Sequence, residues 1–372
     1  MQIPDAFVPP PRLLMGPGPS DVAPSVLRAM SQPLVGHLDP IFVKMMEEIK
    51  AMLRTVFQTK NEMTFPVSGT GSAGMEFCCA NLIEPGDEVI IGVNGVFGTR
   101  MCDVAERCGA KVTKVESAWG QIITPQQITD ALKKVSRPKF VAIVHAETST
   151  GALTPVSEIS KLAHEAGAMF LLDTVTSLAG CPVEIDGWNV DAVYSGTQKC
   201  LSAPPGLSPI SLSPRALAAA ATRKTKVQSW YLDVNLLSSY WGQERVYHHT
   251  APITMNYGLH EALRLVLAEG LENRWHRHEQ NHLALKRGLA EMDLEIVSQA
   301  GHQLWQLNAV GVPAGVDEAA VRKQMLTDYN IEIGAGLGPL KGKIWRIGLM
   351  GETSKSENVA TVLGALRKIL KK

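Results

Sequence analysis

The chain has no net charge, no paired cysteine motif, no internal repeat and no apolar run approaching the length of a membrane span. Each absence closes a class of function. A spanning helix needs about 20 consecutive apolar residues, so no membrane segment is expected. Lys plus Arg and Asp plus Glu balance at 36 each, and neither sign forms a block that would follow nucleic-acid phosphates or an anionic surface, which disfavours those partners. Met1 to Arg12 lack a basic region followed by an apolar stretch, and Leu370-Lys371-Lys372 is no peroxisomal ending, so the expected compartment is the cytoplasm. Cys78, Cys79, Cys102, Cys108, Cys181 and Cys200 form no CxxC pair in a chain too long to need disulfide staples; they are expected to be reduced, mostly buried thiols.

What is present suits an ordinary globular protein. At 372 residues, 45% hydrophobic and 19% charged, the chain can bury a substantial core over two or three domains. The prolines and glycines of 9–19 predict an extended arm and then a tight loop. Helices are predicted at Pro24 to Ser31 and at Pro40 to Val56, the second with Ile41, Met45, Ile49 and Leu53 on one stripe. Seven short apolar runs follow, at Met63 to Val67, Glu88 to Val93, Lys111 to Val115, Phe140 to His145, Met169 to Asp173, Ala192 to Ser195 and Pro209 to Leu212. Helical stretches alternate with them at Gly74 to Asn81, Thr99 to Cys108, Pro125 to Lys134 and Val156 to Ala166. Such alternation predicts an α/β fold, a mostly parallel seven-stranded sheet covered on both faces. A long helical region from Asn256 to about Met292 leads to an α+β tail with strands at Leu294 to Val297, Gln303 to Val310, Ile331 to Gly334 and Lys343 to Gly348, and helices at Glu318 to Tyr329 and Ser356 to Leu370. The expected organisation is an arm and loop over 1–19, a large domain over 20–265 and a small C-terminal domain over 266–372.

Gly69-Thr70-Gly71-Ser72-Ala73-Gly74 matches G-x-G-x-x-G. A dinucleotide site would need an acidic residue at the far end of the next strand, whereas Asp87 and Glu88 stand before Val89-Ile90-Ile91. What remains is a glycine loop opening a helix, whose exposed N–H groups favour a phosphate, with a simple capped helix as the alternative. Asp173 ends an apolar strand, where a carboxylate needs a cationic partner, a salt bridge or a pyridinium. Lys199 follows the next predicted strand, 199 − 173 = 26 residues later. A lysine that can hold an aldehyde as a Schiff base and a carboxylate that can keep a pyridine nitrogen protonated are what pyridoxal phosphate chemistry asks for. The C-terminal ends of parallel strands converge on one crevice, so loop, acid and lysine together are far more specific than any of them alone. Arg346 lies in Ile344-Trp345-Arg346-Ile347, on one face with Ile344, where its planar guanidinium suits a substrate carboxylate or a pair with Glu332. His276, His278 and His282 fall on what reads as an exposed helix, so no metal site is expected. Cys200, with no histidine near it in sequence, is not expected to be a nucleophile.

The motifs Gly16-Pro17-Gly18-Pro19, Ser68-Gly69-Thr70-Gly71, Pro85-Gly86-Asp87, Asn94-Gly95, His145-Ala146-Glu147-Thr148-Ser149-Thr150-Gly151, Ser195-Gly196-Thr197-Gln198-Lys199, Tyr247-His248-His249-Thr250 and Trp345-Arg346-Ile347-Gly348 run over nearly the whole chain. With them the sequence resembles class V, fold-type I aminotransferases that depend on pyridoxal 5'-phosphate, and within these the alanine–glyoxylate and serine–glyoxylate group. The resemblance implies that Lys199 bonds the cofactor and shuttles the proton, that Asp173 pairs with the pyridine nitrogen, that Val175 packs beneath the ring and that Phe97 stacks on it. It places Thr148 near the phenolic oxygen. It gives the phosphate to Thr70, Gly71, Ser72 and Gln198, with Tyr247 and Thr250 reaching across from a second subunit of a homodimer. It puts Arg346, Gly18 and His37 at the substrate, small amino and 2-oxo acids. His37 stands where the ureidoglycine–glyoxylate branch usually has glutamine. The expected reaction moves the amino group of alanine or serine to glyoxylate; ureidoglycine or aminoethylphosphonate as donor, or a lyase reaction, is the alternative within the same cofactor class.

Overall fold

A computed structural model describes residue 1 and residues 3–372; Gln2 of the expected arm lies outside the described residues. Its central sheet has seven strands in the spatial order Met63–Ser68, Leu207–Leu212, Ala192–Tyr194, Met169–Asp173, Pro138–Val144, Glu88–Val93 and Lys111–Glu116. The Leu207–Leu212 strand runs antiparallel to both neighbours, and every other pairing is parallel. All seven expected strands are therefore present, with ends shifted by a residue or two.

Two-sided burial explains the unbroken apolar runs. Phe140, Ala142 and Val144 join the core on one face with Met169 and Leu171. Val141, Ile143, Phe170 and Leu172 face the opposite core. Alternate residues of a strand point to opposite faces, so a strand covered on both sides has no position left for a polar residue. Truncating one of these side chains, as in Phe170→Ala, costs about 3–5 kcal/mol by leaving a cavity.

Elsewhere the boundaries differ for identifiable reasons. The helix Pro40–Phe57 buries Phe42, Met46, Ile49, Leu53 and Val56, while Ile41 is 72% exposed. The apolar stripe thus starts one residue later than expected. The single helical region expected after Asn256 is two helices, Ile253–Glu269 and Leu271–Ala290, broken at Gly270, whose φ of 81° no continuing helix allows. Leu294 to Val297 is not a strand: only Ile296 makes an isolated bridge, to Val310. Helices Pro214–Ala221 and Val234–Trp241 had no counterpart in the expectation.

A second sheet orders Leu307–Gly311, Ile344–Gly348 and Gly334–Ala335, all antiparallel. Its core holds Trp345, Ile347, Val359, Leu363 and Leu366, joined by Met15 from the arm. The arm is accordingly more than an extended lead. Leu13–Leu14 pairs in parallel with Ile331–Glu332, Gly348 N–H donates to the Met15 carbonyl at 2.7 Å, and Ser20 N–H donates to the Gln198 carbonyl at 2.9 Å. Gly18, at φ 103°, lies so close to Lys199 that a Cβ there would stand 2.5 Å from Nζ. The arm straps both sheets together across the C-terminal ends of the parallel strands.

Candidate active site

Those strand ends supply the chemistry. Met169–Asp173 delivers its last residue, Asp173, fully into the interior, and two donors hold the carboxylate: Val175 N–H to Oδ1 at 2.8 Å and the Tyr194 hydroxyl to Oδ2 at 2.7 Å. Burial raises its pKa to about 6 against these bonds, so the ionised form calls for a cation. Lys199, in the turn after Ala192–Tyr194, is 8% exposed. Burial first, and then the charge of Arg346, lower its amine to about 8. Its Nζ donates to the Pro17 carbonyl of the arm, and the Ser20 hydroxyl donates to its backbone carbonyl at 2.8 Å.

Asp173 and Lys199 share a cavity of about 130 Å³ with Thr70, Gly71, Ser72, Phe97, Val175 and Gln198. Met75, Arg100 and Tyr194 complete the lining. Gly71 begins the helix Gly71–Leu82, and a Cβ on it would meet Val175 Cγ2 at 3.1 Å, so glycine keeps this helix N-terminus open. The Thr70 side chain makes no capping bond, so the Gly71 and Ser72 N–H groups at the helix start are open to an anion, while Ala73 N–H donates to the Thr70 carbonyl at 2.7 Å. Gln198 Oε1 is buried with no partner among the described residues. The Arg100 guanidinium lies 5.1 Å from the centre of the Phe97 ring, which its charge favours. A larger surface groove of about 860 Å³ between Asp87 and Arg215 contains no comparable pairing of buried acid and amine among the described residues.

Arg346 is 7% exposed, and burial lowers its pKa to about 10. Its Nε donates to the Ala335 carbonyl at 2.6 Å and Nη1 to the Thr148 carbonyl at 3.2 Å. No ion pair links it to Glu332 among the described residues: Glu332 is exposed on the edge pairing with Leu14. That leaves the outer part of the fork open.

Not every expected residue reaches the cavity. Thr148 is buried but meets Arg346 through its carbonyl and does not line the lysine pocket. Tyr247 is 60% exposed and Thr250 is exposed, both outside the cavity of their own chain. The half-buried His37 ring lies 5.3 Å from that of Tyr247.

One expectation about side chains needs correcting. His278 and His282 are buried rather than on an exposed face; only His276 is exposed. His278 bonds the Arg274 carbonyl at 2.7 Å and Gly351 N–H at 2.9 Å, and His282 bonds Asn308 at 2.7 Å. The surrounding charged residues disguised this face, because Arg274 itself is buried, donating to Glu269 and, at 2.6 Å, to the Cys200 carbonyl. No group of metal-ligating side chains exists among the described residues. All six cysteines are free and buried, and burial pushes the Cys200 thiol up to about 12, far from a thiolate.

A mostly parallel sheet with a lysine, an acid and a helix N-terminus at its carboxyl edge is the fold-type I architecture of its structural neighbours, pyridoxal-phosphate-dependent aminotransferases. Sequence comparison narrows this. The Aminotransferase class-V family matches residues 14–347, and the chain belongs to it. It is 42% identical to the (S)-ureidoglycine–glyoxylate transaminase of Bacillus subtilis, over 96% of this chain and 90% of that one. It is 41% identical to the alanine–glyoxylate aminotransferase of Rattus norvegicus, over 97% and 88%. The crystal structure of alanine–glyoxylate aminotransferase from Nostoc sp. superposes with a TM-score of 0.97 at 49% identity, covering 100% of this chain and 98% of that one.

Enzymes of this family use pyridoxal phosphate, and the cavity fits it. Lys199 could bond the aldehyde, Asp173 could face the ring nitrogen, Phe97 and Val175 could sandwich the ring, and the Gly71 helix N-terminus with the partnerless Gln198 Oε1 nearby could receive the phosphate end.

Proposed function

We propose that this aminotransferase carries the amino group of a small L-amino acid, alanine or serine, to glyoxylate, giving glycine and the matching 2-oxo acid. The observation that carries this reading is a buried amine and a buried carboxylate in one small cavity, with Arg346 close enough to depress the lysine. Bound pyridoxal phosphate supplies the electron sink that makes the substrate Cα–H acidic. Lys199 Nζ would hold the cofactor's aldehyde carbon and, when free of it, would carry a proton from the substrate Cα to that carbon. Asp173 would face the ring nitrogen and favour its protonated form. Arg346 grips the α-carboxylate through its free fork. The arm, with Pro17 and Gly18 against Lys199, would cover the substrate side of the cavity.

The active unit of this reading is a homodimer. The His37 and Tyr247 rings pack together, with Thr250, Leu34, Leu38 and Val246 also exposed, and a second copy would carry His37, Tyr247 and Thr250 to the neighbouring phosphate and substrate positions. Ureidoglycine is the second donor to consider, since a relative of comparable identity bears that name. A desulfurase reading has no support: it would need a mobile thiol, and the cysteines are buried.

A panel of amino donors against glyoxylate and pyruvate, with product analysis, identifies the substrate pair. Lys199→Ala should abolish the visible band of the bound cofactor and lower turnover by about 10²–10⁴-fold, the usual worth of a positioned acid–base group. Full turnover by that variant would refute the mechanism.

A further inference from the structure

Glu147 is fully buried and has no part in the reaction as described, yet every bond to its carboxylate comes from a donor. Oε1 accepts the Ser149 N–H at 3.0 Å and the Ser149 hydroxyl at 2.6 Å. Oε2 accepts the backbone N–H of Phe97 at 3.1 Å and of Gly98 at 3.4 Å. Ser149 Oγ in turn accepts the Val96 N–H at 3.0 Å. The first three N–H groups of the helix Val96–Arg107 are thus satisfied by a distant turn. The helix cannot do this itself, and its own N-cap, Gly95, has no side chain to offer. Glycine is required there because a Cβ would collide with the Glu147 carboxylate carbon.

The backbone N–H groups of Phe97, Gly98 and Ser149 and the Ser149 hydroxyl surround the carboxylate, an arrangement that favours the ionised acid. Burial opposes ionisation and raises the Glu147 pKa; the four bonds and the positive end of the helix dipole work the other way. The neighbouring residue completes the arrangement. Thr148, between Glu147 and Ser149, accepts Arg346 Nη1 on its carbonyl at 3.2 Å. One turn of chain therefore holds, on one side, the helix that presents Phe97 to the cavity and, on the other, the guanidinium of Arg346.

We infer that Glu147 is the positioning residue that fixes the Phe97 ring and the Arg346 guanidinium relative to one another, so that one buried anion sets both ring stacking and carboxylate capture. This rests on the roles proposed above for the cofactor cavity and Arg346. Glu147 itself does not line the cavity.

The test uses Glu147→Gln, which keeps the volume but turns one acceptor oxygen into a donor facing donors, and the milder Ser149→Ala. Three readouts separate positioning from simple support: amide exchange at residues 96–98 in the cofactor-free protein, the visible circular dichroism of the bound cofactor, and KM against kcat for the amino and oxo acids. Glu147→Gln should speed exchange at 96–98 by about tenfold or more, weaken the dichroic band, and raise both KM values about tenfold while kcat falls less, on the scale of one lost charge-assisted bond. A folded variant with a lower melting temperature but unchanged dichroism and KM would overturn the inference and leave Glu147 as a plain structural acid. Should Glu147→Gln not fold, Ser149→Ala decides on the same readouts, with smaller shifts in the same direction expected and none overturning the idea. Wild-type protein that fails to bind the cofactor or to transaminate sinks the functional reading instead, so the two failures are distinguishable.

Discussion

The Tyr194 hydroxyl and the Asp173 carboxylate meet at 2.7 Å in a fully buried position, with the phenol as donor. Burial and the adjacent carboxylate hold the phenol far above its ordinary pKa, so it stays a donor at any working pH. Tyr194→Phe leaves Asp173 Oδ2 without its partner. A bond of this kind contributes about 1.5–3 kcal/mol. Cofactor affinity, measured by fluorescence titration of the cofactor-free protein, should fall by about tenfold or more, and unchanged affinity would show that the carboxylate is held by Val175 alone.

The depressed Lys199 amine has a kinetic consequence. Its pKa of about 8, against 10.5 for an ordinary lysine, leaves far more neutral amine near pH 7, and only the neutral form attacks an aldehyde. The rate at which cofactor-free protein captures pyridoxal phosphate, followed by stopped-flow absorbance, should rise with pH and level off above about 8. Arg346→Ala removes a repelling charge and should move that plateau upward. A midpoint near 10.5 in the wild type would contradict the buried placement.

Arg346 donates to two backbone carbonyls and still offers part of its fork. Arg346→Lys retains the charge but not the paired planar geometry. It should raise KM for both amino and oxo acids by about 30-fold, equivalent to about 2 kcal/mol, with a smaller effect on kcat. Steady-state kinetics with both substrates varied checks this, and unaltered KM values would remove Arg346 from carboxylate binding.

His278 is bonded so that only a neutral ring fits: Nδ1–H donates to the Arg274 carbonyl and Nε2 accepts from Gly351 N–H. Burial, then the nearby Arg274 and Arg277, lower its pKa to about 3. A base whose folded pKa lies below its unfolded value of 6.5 is protonated more readily in the unfolded chain. Its contribution is therefore complete above 6.5 and declines as pH falls from 6.5 towards 3, by about 2 kcal/mol at pH 5. Asp173, whose pKa is raised to about 6, acts in the opposite sense below that pH, so the comparison must be between variants. Melting temperatures from pH 7 to 4.5 should fall more steeply in the wild type than in His278→Gln, and parallel curves would refute the neutral-ring account.

The sheet was readable because its strands are covered on both faces, which gives runs such as Val89-Ile90-Ile91 and Phe170-Leu171-Leu172 that few other structures need. Asp173 and Lys199 were readable for the complementary reason, since charges ending such runs call for partners. Tyr194 was not, because a tyrosine after Ala192-Val193 reads as one more core aromatic, and its hydroxyl matters only once Asp173 lies beside it. Glu147 was visible only as a letter in a longer motif; its partners Phe97 and Gly98 stand about 50 residues away. His278 was misplaced on solvent because Arg274 and Arg277 flank it, and nothing local reveals that these arginines bond to carbonyls of Cys200, Gly351 and Ser354.

The strap formed by the arm also bears on how the molecule matures. Leu13 finds its partner only at Ile331, 331 − 13 = 318 residues later, and Met15 waits for Gly348. This segment is thus among the last to find its place, since joining partners so distant along the chain is slow. Until that clasp closes, the pocket around Lys199 has no lid, and a nascent chain with a finished central sheet is still an open vessel.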